Sequence, residues 1–267
     1  MSLDRTGLDG WNARGWLHLP GALDPATVAA LQVWVEEVAA WSTDPTGPGL
    51  HHREQTDDGP VLARSEHFAD EHEHLGSFVR GHEVLVEVLT SLFGEPPVLF
   101  KEKVNYKHPG GGGFAPHQDA PAYRFVDHHI SVMVPIDPAT LASGCLWFAD
   151  GHLNGRLPAT EGGRLRSDVV EQLTWTPREV EPGDVVFFDS HTPHRSDTNT
   201  TDRPRRVLYL TYNAASRGDH RAAYYADKLA EFSGADGTFD RERVRISIND
   251  DFLGRPVTGP IGRGASS

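Results

Sequence analysis

The sequence predicts a mainly β fold, a barrel or a sandwich, flanked by helices. Three observations carry this. From Pro97 onward the chain breaks into short apolar and β-branched runs separated by turn residues, without long helical patterns between them. Before Pro97, apolar residues recur at helical spacing. The 267 residues, 38% of them hydrophobic, suffice for a sizeable core.

The elements follow in chain order. In "ALDPATVAALQVWVEEVAAW", Asp24 is placed to cap a helix and Pro25 to occupy its first position. Leu31, Val35 and Val38 then share one face, so the helix is expected to run to about Trp41. Residues 42–60 are polar and read as a mobile excursion. The whole acidic stretch Ser42–Leu75, long for a connection, reads as a lid over the site. In "HEVLVEVLTSLFGEPP", Leu85, Val88, Leu89 and Leu92 form a helix face that Gly94 ends. Six strands are then expected in "VLFKEKVNYK", "HHISVMVPI", "GCLWFA", "LTWTPREV", "GDVVFFD" and "RRVLYLTYN". A late helix falls near "DHRAAYYADKLAEF". Residues 233–267 are weakly patterned, and the final "GRGASS" is expected to fray. The chain reads as one domain: a helical part over about 1–96, a β core over about 97–215, and a helix and tail over about 216–267.

The formal net charge of −13 argues against nucleic acid or an anionic membrane as a partner. It fits a small polar substrate, cationic or sugar-like. A single cysteine, Cys145, excludes an internal disulfide and reads as a small buried hydrophobe. No apolar run reaches the length of a signal peptide core or a membrane span, so a cytoplasmic location is expected.

One stretch suggests chemistry. In "HPGGGGFAPHQD", the only His-x-Asp of the chain follows four glycines. On an extended backbone, His117 and Asp119 would project to the same face and could share an ion. The glycines would allow close approach of another backbone or a ligand. Further on, "DSHTPHRSDTNTTDRPRRVLYLTY" offers His191 and His194, then Arg205 and Arg206 at the start of a strand. Two histidines and a carboxylate make the facial triad of non-heme Fe(II) oxygenases. An arginine beside it suits a two-pronged grip on a carboxylate. Elsewhere, His72 and His74 in "DEHEHL" read as a solvated helix entry. His128 and His129 read as one outward and one inward, and Trp147 and Phe148 as core.

"KVNYKHPGGGGFAPHQD", "GCLWFADGH" and "PGDVVFFDSHTPHRSDTNTTDRPRRVLYLTY" together resemble the phytanoyl-CoA dioxygenase-like superfamily of Fe(II)/2-oxoglutarate oxygenases. The resemblance implies a double-stranded β-helix, the jelly-roll or cupin-like core. It selects His194, with Ser196 and Asn199 at its characteristic offsets, over His191 as third metal ligand. It selects Arg205 over Arg206, with Ser196, for the far carboxylate of 2-oxoglutarate, and brings Asn105 and Lys103 toward the same co-substrate. "FADGHL" departs from the usual Pro-Gly-Ser-His turn, which leaves the wall at Asp150–His152 open. The implied cofactors are Fe(II), 2-oxoglutarate and O2, and the retained Asp119 argues against halogenation. The expected activity is oxidation of a C–H bond, by hydroxylation or ring closure, on a sugar, an aminocyclitol or another small metabolite. An organophosphonate or a compatible solute is the alternative substrate. A non-catalytic metal-binding β-barrel and a zinc hydrolase are the rivals of other classes.

Overall fold

The computed structural model describes residues 3–44, 47–153, 155–233, 246–247 and 249–257. In order, its elements are α1 (Arg5–Arg14), β1 (Trp16–Leu19), α2 (Pro25–Ala40), β2 (Leu50–Thr56), β3 (Gly59–Glu66), α3 (Glu73–Gly81) and α4 (Glu83–Phe93). There follow β4 (Pro97–Lys107), β5 (Phe114–His117), β6 (Ile130–Pro135), β7 (Leu146–Ala149), α5 (Ser167–Val170), β8 (Trp175–Arg178), β9 (Val185–Asp189), β10 (His194–Ser196), β11 (Arg205–Ala214) and α6 (Arg221–Glu231). The strands form a seven-stranded sheet, in the order β1-β9-β6-β11-β4-β3-β2, and a four-stranded sheet, β5-β10-β7-β8. Every pairing is antiparallel. This is the jelly-roll core with flanking helices.

Period-two alternation divides the large sheet between two cores. From β6 and β11, Ile130, Val132, Val134, Leu208, Leu210 and Tyr212 face the helices, where Leu31, Val35, Val38, Leu85, Val88 and Leu89 meet them. Met133, Val207 and Tyr209 face the other way, toward Leu146 and Phe148 of the small sheet. Each fully buried aliphatic side chain in these layers contributes roughly 1.5–3 kcal/mol. Helix α2 begins as its sequence requires: the Asp24 carboxylate accepts from the Ala26 and Thr27 amides. Gly94 ends α4 in the left-handed region, at φ 74°.

Three expectations need correction. Residues 50–66 are a β-hairpin on the edge of the large sheet, not a loop or lid. Asp57 and Asp58 are its exposed two-residue turn, while Glu54 and Glu66 are buried. The hairpin was hidden because His51, His52, Glu54, Arg64, Ser65 and Glu66 bury polar rather than apolar groups. Second, the N-terminal third is not simply helical, since β1, β2 and β3 all join the large sheet. Third, residues 251–257 are not a loose tail, because they run along both sheets. The "GRGASS" end lies outside the described residues. Among the histidines, His74 is exposed, but His72 is buried, caps α3 at the Leu75 amide and contacts Glu37 at 2.8 Å. Trp147 is half-buried under the Arg195 guanidinium rather than part of the core.

His129 points inward, as expected, into a cluster with Phe100 and Tyr123, and neither ring nitrogen has a hydrogen-bond partner among the described residues. Burial pushes its pKa down to about 3, with nearby Lys101 adding to the effect. The unfolded chain therefore binds a proton between about pH 6.5 and 3 that the folded chain refuses. This contribution is fully present above about pH 6.5 and is lost as pH falls toward 3. In His129→Phe, the fall of the denaturation midpoint across that window should be shallower than in the wild type. Parallel slopes would show that His129 does not carry this term.

Candidate active site

The short pairing of β5 with β10 sets His194 directly opposite His117. Their ring centroids lie 4.2 Å apart. Each ring is oriented by a carbonyl two residues back: His117 Nδ1 donates to Ala115 O at 2.7 Å and His194 Nδ1 to Thr192 O at 3.0 Å. Both Nε2 atoms are thereby turned toward the space between the sheets. Asp119 joins them, but not through an extended His-x-Asp. β5 ends at His117, and Asp119 has helical backbone angles at the start of a short 3-10 turn. That turn is pinned by the Ala120 amide on Ser190 O, at 2.9 Å, and by the Gln118 side chain on Gly155 O, at 2.7 Å. Ligand atoms of His117, Asp119 and His194 lie within 4.8 Å of one another. Burial opposes charge on Asp119, yet His194, Lys103, His117 and Lys101 hold its carboxyl well below the usual carboxylate range. Burial lowers His194 to about 4, so its imidazole is neutral near pH 7. Two imidazoles and an ionised carboxylate on one face fit Fe(II) with coordination positions to spare.

The triad opens into a cavity of about 780 Å³, counting its mouth. At one end is Arg205, buried, with Nε and Nη1 lacking partners among the described residues. Unpaired N–H groups on a buried guanidinium suit a carboxylate. Ser196 lines the same end and accepts from Lys107 Nζ at 3.0 Å. Asn105 does too, its Oδ1 accepting from Arg64 Nε at 2.9 Å. Arg206 points away, bonded to Asp137 by Nε and Nη2 at 2.8 Å each. His191 turns aside to Asp189, which its backbone amide meets at 2.8 Å. The open wall at Asp150 is held by Trp16 Nε1, at 2.7 Å.

Lys103 lines the cavity as expected, but it is not alone. Lys101, two residues earlier on the same face of β4, lies beside it under the Tyr123 and Tyr224 rings. Burial, then mutual repulsion, lowers Lys101 well below an ordinary lysine. Burial and Arg64 bring Lys103 to about 8. Neither ammonium has a carboxylate within 4.0 Å or a hydrogen-bond acceptor among the described residues. Arg64 and Lys228 also line the wall but are engaged by Glu66. Sequence reasoning missed Lys101, although its spacing from Lys103 was visible. It also missed Asp251, for which the weakly patterned tail offered no signal.

Asp251 belongs to a strap over the cavity. Its backbone carbonyl accepts from Ala115, and Leu253 donates to Gly113, so the strap lies against the free edge of β5. Farther on, Arg255 accepts from Gln55, and Val257 donates to Arg53, on the free edge of β2. This explains two of the glycines. A Cβ on Gly112 would lie 2.3 Å from the Gly254 backbone, and one on Gly113 2.0 Å from Ser196 O. The Asp251 carboxylate reaches His117, with Oδ2 3.1 Å from Nε2.

Comparison with known proteins agrees with this geometry. The phytanoyl-CoA dioxygenase (PhyH) family model matches residues 11–207. The chain is 42% identical over 251 residues to a methylphosphonate hydroxylase of Gimesia maris, covering 94% of this chain and 95% of that one. It is 38% identical over 226 residues to a 2-aminoethylphosphonate dioxygenase of an uncultured bacterium, covering 83% and 86%. Its fold is similar to that of EctD from S. alaskensis, solved with 2-oxoglutarate and 5-hydroxyectoine, at a TM-score of 0.70 and 19% identity over 80% of this chain and 77% of that one. The chain belongs to the phytanoyl-CoA dioxygenase family. It is a dioxygenase dependent on Fe(II) and 2-oxoglutarate, which removes the purely structural barrel and the zinc hydrolase from consideration. Among the described residues, no helix is long and apolar enough to cross a membrane.

Because Gly254 fills the space beside Gly112, Gly112→Ala should lift the strap. Limited proteolysis is expected to cut residues 246–257 sooner, with a stability loss of about 1–3 kcal/mol. Unchanged proteolysis would mean that the strap does not depend on this contact.

Proposed function

We propose that this chain oxidises a C–H bond of a small organophosphonate. His117, Asp119 and His194 would hold the iron, and Arg205, with Ser196, the far carboxylate of 2-oxoglutarate. When bound, the iron, with 2-oxoglutarate and O2, supplies the oxidising power. The residues of the chain do the placing. Lys101 and Lys103 present two ammoniums to a doubly acidic head group. Tyr123 and Tyr224 shield Lys101 from water, and Tyr209 lies against Lys103, which strengthens the pairing. The observation that carries this reading is the pair of unpartnered lysines beside the triad, in a chain whose net charge is −13. A neutral sugar or an aminocyclitol would offer the lysine pair no anionic partner, a poorer match than a phosphonate. The names of two relatives, a methylphosphonate hydroxylase and a 2-aminoethylphosphonate dioxygenase, support the same substrate class.

Succinate formation under O2, with 2-oxoglutarate and a panel of substrates, tests the proposal. Methylphosphonate or 2-aminoethylphosphonate should stimulate it more than sugars, aminocyclitols or compatible solutes do. A faster neutral or purely cationic substrate would overturn the assignment.

Two sets of variants separate the roles. Lys101→Met should raise the phosphonate KM by roughly 10- to 100-fold and leave the 2-oxoglutarate KM nearly unchanged. Arg205→Lys should do the reverse, because a point charge does not replace the fork. Alanine at His117, Asp119 or His194 should abolish both Fe(II) binding and turnover, whereas His191→Ala should retain the metal. Loss of iron in His191→Ala, with retention in His194→Ala, would move the third ligand.

A further inference from the structure

Asp251 has no role in the site described so far, yet it is buried and lines the cavity. One of its oxygens, Oδ2, faces His117. The other, Oδ1, is buried without a hydrogen-bond partner among the described residues. The remaining cavity carboxylates are engaged. Glu66 is held by Lys228 and Arg64, and Asp119 belongs to the triad and accepts from Ser131 Oγ at 3.3 Å. Asp251 is therefore the cavity carboxylate with an oxygen to offer. It is close enough to Lys103 for its charge to favour the protonated lysine. The strap backbone holds it there by hydrogen bonds on either side, from Ala115 to the Asp251 carbonyl and from Leu253 to Gly113, at 2.7 and 2.9 Å.

A buried anion with an unfilled lone pair requires a donor, preferably a charged one. An alkyl group offers none. An ammonium does, and a guest with a phosphonate at one end and an ammonium at the other would satisfy both the lysines of β4 and the strap carboxylate. We infer that Asp251 is an ammonium-binding residue, so that the substrate is a short zwitterionic aminoalkylphosphonate rather than a simple alkylphosphonate. This inference rests on the phosphonate reading above and refines it. Asp251 acts as a specificity residue at the substrate's far end, while the lysines set the head-group class.

The test compares 2-aminoethylphosphonate with propylphosphonate, in which a methyl group stands where the ammonium was. The wild type should favour the aminated compound in kcat/KM by roughly 10- to 100-fold, the range expected for a charged hydrogen bond. Asp251→Asn should remove most of that preference through the KM of the aminated compound, with propylphosphonate little affected. Asp251→Glu, which keeps the charge, should retain part of it. Anaerobic calorimetry on the Fe(II)- and 2-oxoglutarate-loaded protein should show the same split in Kd without turnover. Fe(II) affinity should be equal in the wild type and Asp251→Asn. If Asp251→Asn weakens both phosphonates equally, or releases iron, Asp251 serves His117 and the metal, and the inference is overturned. If both phosphonates are turned over without an amino preference, the subsite fails and the phosphonate reading stands. If neither is turned over, both fall together.

Discussion

The site depends on one strand register. His194 opposes His117 across a pairing only a few residues long, and nearly every other feature of the site is arranged around that meeting. Because side chains alternate along a strand, a slip of one residue would send one imidazole to the outer face of the small sheet. The pairing is protected on both sides. β10 is held by β7, where His194 faces Phe148 and Ser196 faces Leu146. Gly113 lets Ser196 O approach so closely that no side chain could be accommodated. The carbonyls that orient each imidazole come from the same strand or loop as the ring itself. The geometry of the candidate ligands is thus largely a property of the backbone, and the carboxylate of Asp119 is added by the turn that follows.

Local charge and total charge point in opposite directions here. The surface carries the acidic excess, while the inner face of β4 carries Lys101, Lys103 and Asn105 into the cavity. The two lysines tolerate burial because water is replaced by tyrosine rings and by the field of Asp119 and Glu66. A net charge reports on solubility and long-range steering, and it is a poor guide to what a desolvated pocket binds.

What was legible in the sequence was what depends on local chemistry. Asp24 and Pro25 mark a helix start, Gly94 marks a helix end, and the strands from β4 to β11 announce themselves by apolar runs. His117, Asp119, His194 and Arg205 could be chosen by motif, and the fold brings them to one cavity. The hairpin β2–β3 was misread because its inward residues are ion-paired rather than apolar, although its Asp-Asp-Gly turn was a usable sign. The extended His-x-Asp picture failed for a similar reason: what bends Asp119 back is a hydrogen bond from Ala120 to a distant carbonyl. Asp251 was beyond reach, since its position comes from backbone pairing with strands more than a hundred residues earlier.

The path of the strap has a consequence beyond the site. β5 ends the small sheet and β2 ends the large one, so each would present a row of unpaired amides and carbonyls to solvent. Residues 251–257 satisfy part of both rows in a single pass, touching β5 through Asp251 and Leu253 and β2 through Arg255 and Val257. The segment that brings Asp251 to the cavity therefore also acts as a guard against self-association. A chain shortened before Ile246 would lose not just a substrate contact but its protection against edge-to-edge β-pairing with other copies. Concentration-dependent aggregation would accompany the loss of that contact.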